Sequence, residues 1–162
     1  MFVGQYDYKL DTKGRLVIPS KFRDSLEEED GENGLYVTKV SKSLLDSKDE
    51  DDPTTFLEMY TQSAWEERAE RIQEKAKQQK SSEWFLRKLA WDADFCTLDS
   101  QWRINLPDRL ISTADLKKEV KVVGGIDHME VWDRSTWSVV NDVLEDEAHH
   151  LEEGLYEEEP EM

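Results

Sequence analysis

Cysteine is nearly missing from this sequence, and so are the features that would place it in a membrane or give it obvious chemistry. A single cysteine, Cys96, excludes an internal disulfide, and its setting between Phe95 and Thr97-Leu98 predicts a buried, inert thiol. There is no apolar run of about 18 residues and no signal-peptide pattern at the N-terminus, so the expectation is a cytoplasmic protein. Histidine is scarce. His128 precedes a predicted strand, and His149-His150 lies in an acidic stretch with no rigid element to space it, so neither a metal nor a cofactor is expected. No glycine-rich phosphate loop occurs, and Gly124-Gly125 reads as a turn. Carboxylates are plentiful but run in exposed strings, and nothing gathers a nucleophile, a base and an orienting group. The sequence does not read as that of an enzyme.

Positive charge is also in short supply: 21 Lys and Arg stand against 38 Asp and Glu, for a net charge of −17. Such a balance opposes nucleic-acid binding unless basic residues are gathered on one face. From Asp142 onward there are ten acidic residues and no Lys or Arg, whereas Met1–Leu26 carries Lys9, Lys13, Arg15, Lys21 and Arg23 against three aspartates. The opening segment is the candidate basic face.

What the sequence does contain is a repeat. Leu10-Asp11-Thr12-Lys13-Gly14-Arg15-Leu16-Val17-Ile18-Pro19 returns as Leu98-Asp99-Ser100-Gln101-Trp102-Arg103-Ile104-Asn105-Leu106-Pro107, with Asp11 and Asp99 standing 88 positions apart. Leu57–Trp65 likewise resembles Met129–Trp137, at a separation of 72, so the first copy carries about 16 extra residues. Their expected place is an acidic loop near 41–55, whose composition suits solvent.

Each copy reads as two short strands joined by an Asp-x-x-x-Arg turn, a short helix opened by proline, two further strands and a closing helix. In the first copy the strands are Tyr6–Leu10, Leu16–Ile18, Gly34–Val40 and Leu57–Tyr60. Ser63 with Glu66 suggests a capping box for a helix to about Gln79, and Ser135 a cap for the last helix. A further helix is expected over Ser82–Trp91. Gly14 supplies the positive φ of the first turn, and Asp11 can hold its N–H groups. At the equivalent place the second copy has Trp102, which positive φ would strain by about 1–2 kcal/mol unless the turn has another shape.

The duplicated Leu-Asp-x-x-x-Arg-hydrophobic-x-hydrophobic-Pro signature, the opening Met1–Tyr6 and the lead-in Ala93–Asp99 resemble the MraZ family over roughly residues 1–144. The resemblance implies an α+β fold of two tandem AbrB-like β-hairpin units forming a pseudo-dimeric, β-barrel-like core with short helices. The repeat itself divides the chain into 1–80 and 81–144, and the remainder, 145–162, is too acidic to fold alone and is expected to be a disordered tail. The resemblance further implies a transcriptional regulator, cytoplasmic and nucleoid-associated. Such a regulator binds double-stranded promoter DNA as a ring-shaped homo-oligomer on repeated elements of the division and cell-wall gene cluster. No membrane, small-molecule substrate or cofactor is implied. The DNA-binding set would be Arg15, Lys13, Lys21 and Arg23, with Arg103 and Arg109 weaker, while Asp11, Gly14 and Asp99 shape the turns. Arginine suits such a role because its planar fork pairs with guanine or phosphate. Two alternatives stay open. Asp11–Arg15 could be a structural pair, and the chain could be a fold-retaining interaction protein that has lost DNA binding.

Overall fold

The computed structural model describes residues 1–43 and 54–157. The elements follow in the order β1 (Gln5–Lys9), β2 (Arg15–Val17), α1 (Ser20–Glu28), β3 (Gly34–Lys42), β4 (Thr54–Tyr60), α2 (Gln62–Ala76), α3 (Lys80–Asp92), β5 (Asp94–Thr97), β6 (Arg103–Asn105), α4 (Asp108–Thr113), β7 (Glu119–Gly124), β8 (Met129–Asp133) and α5 (Arg134–Glu157). The expected α+β class holds, but the sheet is not closed into a barrel. Six strands lie antiparallel in the order β1-β7-β8-β4-β3-β5, and β2 and β6 form a separate two-stranded ribbon.

The strands on either side of each Asp-x-x-x-Arg turn do not form the ladder of a simple hairpin, and the second turn's flanks meet in a single bridge, Leu98 to Ile104. β1 crosses to β7 of the other copy, β5 crosses to β3, and β2 pairs with β6. The two copies therefore exchange strands and share one core. Phe2, Leu16, Ile18, Phe22, Leu35 and Val37 from the first copy pack in the same cluster as Cys96, Ile104, Leu106, Leu110, Val122 and Val131 from the second. Burying each such side chain contributes about 1.5–3 kcal/mol, so a boundary at residue 80 would cut through the molecule's main stabilising element. Cys96 is buried as expected, and burial pushes its thiol up to about 12.

The extra residues of the first copy fall in two places. Val37 pairs with Met59 as Val122 pairs with Val131, which sets the third strands 85 positions apart. Three of the extra residues thus lie before β3, where α1 has nine residues and α4 has six. The remainder lies between β3 and β4, and 44–53 of the expected acidic loop fall outside the described residues.

Both helix caps sit two residues earlier than the serines suggest. Thr61 caps α2 by accepting the Ala64 N–H, and Asp133 accepts the Ser135 N–H at the head of α5. Asp133 also accepts the Lys117 N–H at 3.0 Å, tying the helix start to the loop before β7. α5 does not end near Leu144. It continues to Glu157, so 145–157 is helical where a disordered tail was expected. The exposed Leu151, Leu155 and Tyr156 show that this extension does not pack on the core. No helix among the described residues is long and apolar enough to cross a membrane.

Candidate nucleic-acid interface

The β2–β6 ribbon carries the site. Leu16 and Ile104, equivalent residues of the two copies, are direct partners and fully buried, so a pseudo-twofold axis passes between them. Strand alternation then turns Arg15 and Val17, and Arg103 and Asn105, to the opposite, outer face. Arg15 pairs with Asn105 and Val17 with Arg103, so the two arginines lie diagonally across one face of a twisted ribbon.

Each arginine is aimed by its aspartate. Asp11 Oδ1 accepts the N–H groups of Lys13 (2.9 Å) and Arg15 (2.8 Å), while its Oδ2 accepts the Arg15 Nε–H at 2.6 Å. Asp99 repeats the set with Gln101 (2.9 Å), Arg103 (3.0 Å) and the Arg103 Nε–H (2.7 Å). In both turns the backbone N–H of the arginine, helped by its guanidinium, holds the carboxyl below the usual aspartate range. These exposed contacts fix direction more than they add stability. Because Nε is the group engaged, the terminal nitrogens of each fork carry no hydrogen bond among the described residues.

Trp102 settles the shape of the second turn. It adopts φ 59°, beside φ 76° at Gly14, so the turns match and the tryptophan occupies the left-handed region. A Cβ at Gly14 would lie 2.8 Å from the Leu106 carbonyl oxygen and 3.0 Å from the Ile111 side chain. Ile111 is the counterpart of Arg23, and the substitutions are matched across the axis. Where the first turn sets Gly14 against Ile111, the second lays Trp102 beneath the Arg23 guanidinium, 5.7 Å from the ring centre. The Trp102 ring packs on the core, and this burial offsets its strain.

The remaining candidates scatter. Lys13 and Lys21 are exposed. Arg23, placed among the phosphate contacts by resemblance, has its guanidinium on the Ile18 carbonyl (3.3 Å) as well as on Trp102. Arg109 reaches back to the Asp92 carbonyl (3.2 Å) and the Asp94 carboxylate (3.7 Å).

Two basic residues missing from the candidate set join the first turn. Lys117 and Lys118 line one depression with Asp11, Thr12 and Gly14, and the Lys118 carbonyl accepts the Leu10 N–H at 2.8 Å. At the second turn the equivalent bond runs from Leu98 N–H to the Asn33 carbonyl (3.2 Å), so the residues in place of the two lysines are Glu32 and Asn33. The sequence hides this because the flanking residues of each turn come from the other copy.

The family model described as "MraZ protein, putative antitoxin-like" matches residues 1–44 and 89–155, well over half of the chain. The match passes over 45–88, which hold β4, α2 and most of α3. Two matched segments, each with its own Asp-x-x-x-Arg turn, are consistent with tandem repeats, and the chain belongs to the MraZ family.

Proposed function

We propose that this chain is a sequence-specific transcriptional regulator that reads double-stranded promoter DNA with the β2–β6 ribbon. In this reading it acts as a homo-oligomeric ring on repeated elements upstream of the division and cell-wall gene cluster. The observation that carries the reading is the diagonal pair of aspartate-aimed arginines on the outer face of a two-stranded ribbon. The major groove admits a β-ribbon, and an arginine fork pairs bidentately with the O6 and N7 of guanine. Lys13, Lys21, Lys117 and Lys118 add the phosphate contacts that set register without reading sequence.

The acidic body explains why the unit would work in number. One subunit has few phosphate contacts and a repulsive background, so its own affinity is weak at physiological salt. Several identical ribbons on one ring, facing repeated elements, raise the effective concentration without any new chemistry.

Fluorescence anisotropy with DNA from the chain's own upstream region, at two salt concentrations and with the assembly's mass measured by light scattering, tests the proposal. Saturable binding by an oligomer is expected. Equal binding by wild type and Arg15→Ala would remove the ribbon as reader, and no binding at moderate salt would favour a fold retained for protein interaction.

A further inference from the structure

The opposite end of the pseudo-symmetry carries a second cluster, far in sequence from both turns. Glu58 of β4 and Glu130 of β8 are equivalent residues, 72 positions apart, and they are direct cross-strand partners. Two carboxylates are thereby placed side by side on one face of the sheet, both shielded from solvent, with side chains 6% and 19% exposed. Each has one oxygen tied down. Glu58 Oε1 accepts the Tyr60 hydroxyl (3.0 Å), and Glu130 Oε1 accepts the Trp132 Nε1–H (3.0 Å). The free oxygens converge on one atom, His128 Nε2, at 3.1 Å from Glu58 Oε2 and 2.8 Å from Glu130 Oε2. The other ring nitrogen, Nδ1, lies 2.6 Å from Asp127.

We infer that Glu58, Glu130 and His128 form a binding site for one divalent cation of the zinc class. Three donor atoms, two carboxylate oxygens and one imidazole nitrogen, lie within 4.8 Å of one another. Tetrahedral ligands held about 2.0–2.1 Å from zinc stand roughly 3.3 Å apart, so His128 Nε2 needs to draw back only a few tenths of an ångström from each carboxylate oxygen. The outer shell has the arrangement a metal site needs. Asp127 orients the imidazole through Nδ1, and Tyr60 and Trp132 orient the carboxylates. Arg68 approaches Glu58 only at the outer oxygen, 3.9 Å away.

A second observation concerns the open coordination position. Thr38 of β3 is the direct partner of Glu58, so the two side chains share a face of the sheet. The Thr38 hydroxyl is fully buried and, among the described residues, has no hydrogen-bond partner. A water on the ion's fourth position would provide one.

A divalent ion on a neutral imidazole neutralises both central carboxylates. The pseudo-symmetry also limits the site to one ion, because the position equivalent to His128 is Phe56, which stacks on Trp132 at 4.1 Å.

The test is titration of the chelator-stripped full chain with Co²⁺, followed by visible absorption, and with Zn²⁺ by calorimetry. One ion per chain with tetrahedral Co²⁺ bands is expected. Glu130→Gln and His128→Gln should each weaken binding by roughly 100-fold or more, and Tyr60→Phe, which removes only an outer-shell bond, by about 10-fold. His149→Gln/His150→Gln should leave binding unchanged. Absence of stoichiometric tetrahedral Co²⁺ in the wild type overturns the inference, whatever the variants do. So does binding that survives both Glu130→Gln and His128→Gln, or binding abolished by His149→Gln/His150→Gln, which would place the ion on the exposed part of α5.

Discussion

The two Asp-x-x-x-Arg turns have one geometry and two surroundings. Their hydrogen bonds agree to within 0.2 Å, and both place a residue at positive φ before the arginine. Around the first turn lie Lys117 and Lys118, with Asp108 in the same depression, and at the second turn the equivalent positions of the two lysines are Glu32 and Asn33. Backbone geometry is therefore decided inside each ten-residue motif, while electrostatics is decided by what the other copy delivers. A motif repeated in sequence need not be repeated in function.

The largest expected effects probe the shared half of that comparison. Leu16 and Ile104 are both fully buried at the pseudo-twofold axis. Leu16→Ala and Ile104→Ala should each cost about 2–5 kcal/mol in chemical denaturation. Costs differing by more than about 2 kcal/mol would show that the axis is not energetically symmetric.

The next effect separates the halves. Arg15→Ala should weaken promoter binding by about 1–3 kcal/mol, the worth of one bidentate arginine, while Arg103→Ala should cost clearly less. An equal cost in anisotropy titrations would mean that both turns read DNA despite their surroundings.

A smaller effect tests the surroundings directly. Lys117→Ala/Lys118→Ala should flatten the slope of log affinity against log salt by roughly 0.9 for each phosphate no longer neutralised. Glu32→Lys should steepen it. If neither slope moves, the flanking charge is not part of the interface.

The smallest effect concerns acid. Both turn carboxyls are held below the usual aspartate range, so the stability they contribute is present above pH about 4 and lost as the pH falls through their depressed values. Being exposed, they contribute little. Carbon-detected NMR titration should show Asp11 and Asp99 protonating together below the ordinary aspartate range. A normal value at Asp99 alone would reveal that Trp102 loosens the second turn.

Much of the fold is legible in the sequence. The duplicated motif, the strand alternation and the proline-started helices all act over a few residues, where hydrogen-bonding and steric preferences are local. The caps are less so. Ser63 and Ser135 are good capping types, yet the chain leaves the sheet at Thr61 and Asp133, where strand register ends. Composition also hides the full length of the helix from Arg134 to Glu157, since an acidic stretch opposes a packed core but does not forbid a solvated helix.

The candidate site is legible in part for the same reason. Arg15 and its aspartate belong to one motif, but Arg23's contact with Trp102 joins residues from different copies. The Glu58–Glu130–His128 cluster is invisible in sequence because its residues come from separate places and meet through sheet pairing.

The sequence by itself determined that there are two copies, that each carries an Asp-x-x-x-Arg motif, and that the chain belongs with the MraZ family. Only the tertiary structure decided that the copies exchange strands, and so which residues flank each turn. The physical reason is range. A turn is fixed by bonds reaching two to four residues along the chain, whereas its electric field is set by whatever the fold brings alongside.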